Sequence, residues 1–171
     1  MTSAALEELR AQLRDVDQDL LRALDARARF PRDPWPRAPA AGNRGSCPLP
    51  LPEILLAIAP AGTASDPAAA EIANQALLEA LLARQRLAGQ IAEAKFDRIG
   101  AEARAALETG DREKMAALLA DLPAELHRID FIRKTAAELV PHLPGDLAPF
   151  LWREYIIPWT QQSELAHLLD P

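Results

Sequence analysis

Between Pro67 and Pro123 the chain holds no proline, and the stretch ALLEALLARQRLAGQIAEAKF (Ala76 to Phe96) contains one glycine, Gly89. Ala and Leu dominate it, so a long α-helix is its natural conformation. The start is marked by SDPAAAE, with Asp66 as N-cap and Pro67 at the first helical position. The pattern predicts a helix running to about Glu108, closed by Thr109 and Gly110. Everything else in the chain must pack along this element.

The remaining segments read as helices too. The first is expected from about Ser3 to Phe30, with Ser3 as N-cap, Glu7 and Glu8 near its positive end and Pro31 as its stop. Residues 31–66 form a Pro-rich connection in which EILLAIA can make a short amphipathic helix. Asp111 should cap a short helix to about Ala120, Pro123 opens another to Val140, and the last spans Leu147 to Leu169 with a kink at Pro158. No segment alternates as a strand does. The expected fold is all-α, a bundle of about four principal helices in one domain over residues 1–171.

Composition narrows the function. The chain is 49% hydrophobic and 5% aromatic, with a single cysteine, Cys47, which excludes an internal disulfide framework. MTSAALEELR is acidic and amphipathic, unlike a secretory signal, and PLPLPEILLAIAP is too short and broken to cross a bilayer. A cytoplasmic protein without membrane association is expected. The net charge of −6 argues against nucleic-acid binding, so any anion site must be local and built from particular cations.

Such cations sit in the wrong place for solvated residues. Arg84 and Lys95 fall on the stripe defined by Leu77, Leu81, Ala88 and Ile91. In the first helix Arg10 and Asp17 share a stripe with Leu6, Leu13, Leu20 and Leu24, and could pair at a helix contact. Asp121 and Glu125 lead into Ile132 and Ala136, while Thr160 and Glu164 lie between Ile157 and Leu168. Asp121 has a second reading as the N-cap of its helix, and Glu164 could face solvent after a small rotation.

Each pair alone could be structural. Four helices that all bring ionisable groups inward describe a polar pocket in a bundle core, because buried charges are costly unless paired. Three cations facing three carboxylates and a hydroxyl suit a small dianion that also carries hydroxyl or ether oxygens. His127, His142 and His167 have no partners at metal-ligand spacing, and the sequence offers no Gly-rich phosphate loop or evident nucleophile. No metal and no cofactor is expected.

Three blocks resemble the all-helical chorismate mutases, in the longer branch typified by fungal and plant enzymes. They are LRDVDQDLLRALDARARFP, LLARQRLAGQIAEAKF with its Ala-Glu-Ala-Lys-Phe ending, and WREYIIPWTQQSELAHLL with Ile-Ile-Pro-x-Thr and a Glu four residues on. The resemblance covers about the first thirty residues and nearly everything after Asn74. It implies a cofactor-free rearrangement of chorismate to prephenate in phenylalanine and tyrosine biosynthesis. By the same resemblance Arg10 and Arg84 bind the two carboxylates, Lys95 and a protonated Glu164 donate to the ether oxygen, and Glu125 accepts from the ring hydroxyl. Asp121 lines that same end, and Thr160 helps to hold the substrate.

Departures qualify the likeness. Asp121 stands where the long branch usually has Asn, WTQQSE replaces a more charged block, and the 31–66 connection is far shorter than the region carrying effector control. Control by Trp or Tyr through the usual site is therefore not expected. The break after the first helix lets Arg10 fold back beside Arg84 of its own chain, so each site is expected to be complete within one chain even in a homodimer. By motif Arg27 could mimic the carboxylate-binding Arg of the short bacterial enzymes, but Arg84 in the Ala-Glu-Ala-Lys block is preferred and Arg27 is read as structural. The rival readings are a related pericyclic enzyme such as an isochorismate pyruvate-lyase, or a catalytically silent bundle serving as a binding partner.

Overall fold

The protein is described by a computed structural model over residues 3–33 and 48–169. Residues 34–47 of the Pro-rich connection, Cys47 among them, lie outside the described residues, as does the side chain of Ser3. Among the described residues every regular element is a helix, apart from a single isolated bridge between Asp33 and Thr63.

Helix α1 (Ser3–Ala28) and helix α3 (Pro67–Ile99) form the axis. They run antiparallel, since Leu6 and Leu13 cluster with Leu87, Ile91 and Ala94, whereas Leu20 and Leu24 meet Leu77 and Leu81. As expected, the Asp66 side chain caps α3, accepting from the Ala69 amide at 3.0 Å. Helix α1 stops two residues short of Phe30. There the buried Arg27 guanidinium donates to the carbonyls of Phe30 (2.9 Å) and Arg32 (3.0 Å), and to Asn74 of α3. Arg27 thus ties the end of α1 down and lies away from the polar cavity described below.

Between the axis helices, α2 (Leu51–Ile58) buries Leu51, Ile54, Leu55 and Ile58 in the main apolar cluster. Its exit is fastened to the start of the connection. The Arg32 amide donates to Pro60 O at 2.9 Å, and the Ala64 amide donates to Asp33 O at 2.8 Å.

The expected helix to Glu108 is two helices. Gly100 adopts φ +73° and ψ −119°, ending α3 at Ile99, and α4 (Ala101–Thr109) starts anew. The reason is tertiary. Ala103 and Ala106 are almost fully buried against Met115 and Leu119 of α5 (Arg112–Leu119), with Phe96, Leu165 and Leu168 around them. A straight continuation would carry those alanines away from this third cluster, and glycine accommodates positive φ at little steric cost. The Thr109–Gly110 closure and the Asp111 cap are both present, the latter accepting from Lys114 N at 2.9 Å.

Helix α6 (Leu122–Leu139) precedes α7 (Leu147–Leu151), a π-turn (Trp152–Ile156) and α8 (Ile157–Leu169), which follow one another without interruption. The kink expected at Pro158 takes the form of this widened turn, in which the Ile157 amide reaches back to Trp152 O. Pro158 has no N–H to give and its ring crowds the preceding turn, so the register is already broken there. The π-turn leaves Trp152 fully buried with its indole facing α1. Parallel to α3, α8 lies close enough for the His167 ring to cover Gly89, where a Cβ would come within 2.9 Å of it.

Candidate active site

A polar cavity of about 510 Å³, including its open mouth, is bordered by Ile157 of the main apolar cluster and by Leu13 and Ile91 of a second. From α1 come Arg10 and Leu13, and from α3 Arg84, Ile91 and Lys95. Helix α6 contributes Asp121, Ala124, Glu125 and Arg128, and α8 contributes Ile157, Thr160, Gln161 and Glu164. All seven residues singled out in the sequence therefore face one space. Arg10 and Arg84 meet there within one chain.

The deepest cation is Arg84, 1% exposed. Its Nε donates to Asp17 Oδ1 at 2.8 Å and its Nη1 to the Thr160 hydroxyl. That hydroxyl in turn donates to Ile156 O at 2.6 Å, so Thr160 links the π-turn backbone to the guanidinium. Burial pulls the Arg84 guanidinium below its ordinary value; Asp17 opposes this, and neighbouring Arg128 adds to it.

Lys95 and Glu164 form a second, nearly buried pair, Nζ to Oε2 at 2.7 Å. Helical side chains lean toward the N-terminus, which lets Lys95 reach back along α3 to α8. Burial raises Glu164 above the usual carboxylate range, and nearby Glu125 pushes the same way; Lys95 and Arg84 restrain the rise. The solvent-facing reading of Glu164 is excluded, since it is 5% exposed.

At the mouth, Arg10 pairs with Glu7 (2.7 Å) and with Asp121 rather than with Asp17. Seven residues apart on one helix, Arg10 and Asp17 are separated by about 10 Å of rise, too far for an ion pair. Both readings of Asp121 hold at once. Its Oδ1 caps α6 through Ala124 N at 3.3 Å, while Oδ2 accepts from Arg10. Glu125 accepts from the Gln161 amide at 2.7 Å across the mouth.

Sequence reasoning missed Arg128, Gln161 and the place of Asp17. Asp17 is fully buried and accepts from three groups: Arg84, Arg128 (Nη1 to Oδ2, 2.6 Å) and the Trp152 indole (3.3 Å). Arg128 follows Glu125 by three residues, so extending the Asp121–Glu125 stripe by one turn would have found it. Gln161 adjoins Thr160 and had no separate signal. Among the described residues no group of His, Cys, Asp and Glu is arranged to hold a metal, and no helix is long and apolar enough to cross a membrane.

The arrangement can bind an anion in a partly dry site, donate hydrogen bonds from Lys95 and from a protonated Glu164, and accept from a hydroxyl at Glu125 or Asp121. Among the described residues no serine or cysteine lines it. No family model matches the chain, and no curated protein matches its sequence. Among solved structures, the crystal structure of the chloroplast chorismate mutase from Zea mays is similar, with a TM-score of 0.81 at 16% identity. The match covers 96% of this chain and 94% of that one, and the chain shares its all-helical fold.

Proposed function

We propose that this protein is a chorismate mutase, converting chorismate to prephenate without a cofactor and supplying phenylalanine and tyrosine biosynthesis. The observation that carries the reading is the Lys95–Glu164 donor pair set beside Arg84 in one cavity, within a fold shared with an enzyme of that name. In this reading residues 1–171 act as one cytoplasmic domain, and each chain holds a complete site.

The reaction is an intramolecular rearrangement, so the protein must hold a compact conformer and stabilise charge growing on the ether oxygen. Arg84 and Arg10 take the two carboxylates, Arg10 exchanging Asp121 for the ligand. Lys95 Nζ and the Glu164 carboxylic acid donate to the ether oxygen. Glu125 receives the ring hydroxyl, with Asp121 beside it. Thr160 works through Arg84, whose orientation its hydroxyl fixes. A rate gain of about 10⁶ asks for roughly 8 kcal/mol, shared between conformer selection and those donors.

The test is to mix the purified protein with chorismate, follow loss of the diene absorbance and identify the product. Prephenate is expected. Pyruvate release from isochorismate, without prephenate from chorismate, would instead make the protein a lyase of the same fold.

The raised Glu164 carboxyl gives this site a signed pH dependence. Only the protonated form donates, so kcat should fall as pH rises through that raised value. Glu164→Gln, a donor at every pH, should keep activity and lose the fall; a Gln profile superimposable on the parent's refutes the assignment. Stability has the same sign. Folding favours the protonated carboxyl, so the Glu164 contribution is full below the ordinary value near 4.5 and is lost as pH climbs to the folded-state value.

A further inference from the structure

We propose that Arg128 is a substrate-contacting residue, a second guanidinium set beside Arg84 by their shared Asp17 carboxylate to hold one carboxylate of the incoming dianion. The proposal rests on reading the cavity as a chorismate site.

Charge balance around the cavity motivates it. Lys95 faces Glu164 one to one, and Arg10 faces both Glu7 and Asp121. At the inner end the ratio reverses. Arg84 and Arg128 share Asp17, whose oxygens also serve the Trp152 indole, so two cations and a neutral donor converge on one carboxylate. Of the other carboxylates at the cavity, Glu164 acts on Arg84 but is bonded to Lys95, and Glu125, three residues before Arg128 on α6, accepts from the Gln161 amide at the mouth. A surplus cation in a partly buried position is costly unless an anion meets it. The cavity is where that anion can come from, since Arg84 and Arg128 both line it.

Geometry favours a carboxylate. Arg84 bonds Oδ1 and Arg128 bonds Oδ2 of the same group, at 2.8 and 2.6 Å, so one carboxylate already brings both guanidinium groups together. Arg128 meets Asp17 through Nη1. An arginine has five N–H donors in a rigid fork, so further donors exist for a ligand. Its side chain is 13% exposed, within reach of the opening. Asp17 is then a positioning residue, setting the separation of the two arginines from behind.

The experiment compares Arg128→Gln, Arg128→Lys and a surface control, Arg133→Gln, by steady-state kinetics with chorismate and by thermal unfolding. Arg128→Gln should raise KM about 10- to 100-fold with a much smaller change in kcat, since a ground-state carboxylate contact is lost. Arg128→Lys should recover part of that loss, and Arg133→Gln should match the parent. A KM for Arg128→Gln within twofold of the parent overturns the proposal while leaving the mutase reading intact; so does a loss confined to kcat. Should Arg128→Gln not fold, Arg128→Lys decides: a severalfold higher KM supports the contact, and a parental KM overturns it. Should the parent not turn chorismate over, the mutase reading fails. Calorimetry with prephenate as a dicarboxylate probe then decides for Arg128: at least tenfold weaker binding by the Gln variant supports it, and equal or absent binding overturns it.

Discussion

Lys95→Ala should lower kcat for chorismate by about 10³-fold, the scale on which loss of one preorganised donor to a developing oxyanion is felt. The Lys95 ammonium is nearly buried and fixed 2.7 Å from Glu164, so it needs no reorganisation as charge builds on the ether oxygen. Because that interaction grows toward the transition state, kcat and kcat/KM should fall together. The variant carries a second signature. Lys95 restrains the rise of Glu164, so its removal pushes the Glu164 carboxyl higher still. Residual activity of Lys95→Ala should therefore persist to higher pH than the parent's. Single-turnover rates across pH for both proteins measure the two effects at once. A variant within fivefold of the parent, with an unshifted profile, would place the chemistry elsewhere.

The pattern that singled out Lys95 was visible because periodicity alone identifies a helix face. Leu77, Leu81, Ala88 and Ile91 are buried, and Arg84 and Lys95 are buried with them. Asp66 before Pro67 and Asp111 before Arg112 announced helix starts through local chemistry, which needs no tertiary partner. The sequence was silent where partners decide. Gly100 sits in an Ala-rich helical pattern, and only the burial of Ala103 and Ala106 against Met115 makes it a break. Arg10 was matched with Asp17 because they share a stripe, whereas its partner Asp121 is 111 residues away. Asp17 likewise finds Arg84, Arg128 and Trp152 at separations of 67, 111 and 135 residues. A stripe tells which side chains point inward, but the rotation and crossing of the neighbouring helices tell whom they meet. The polar residues at a bundle core are the ones for which that difference decides function.

Asp17→Ala should destabilise the protein by about 3–5 kcal/mol, because it removes the carboxylate that both arginines share and leaves each without its hydrogen-bonded ion-pair partner. Arg84 is 1% exposed and cannot turn to water, and the Trp152 indole loses its acceptor as well. Urea unfolding of parent and variant reads the loss as a lower midpoint at similar slope. The cost is one of pairing rather than of packing, which a double-mutant comparison separates. Adding Arg128→Met to Asp17→Ala removes one stranded cation, so the double variant should be more stable than the sum of the single losses implies, by about 1–3 kcal/mol. Strict additivity would mean that the Asp17–Arg128 bond contributes nothing and that the cluster is held by α1–α3 packing alone. Asp17→Asn refines the test. An amide keeps the shape and one acceptor but no charge, so it should retain more stability than Ala while still loosening the arginine pair. If the pair is what meets the substrate carboxylate, KM for chorismate should rise in Asp17→Asn more than kcat falls, a split that loss of packing would not produce.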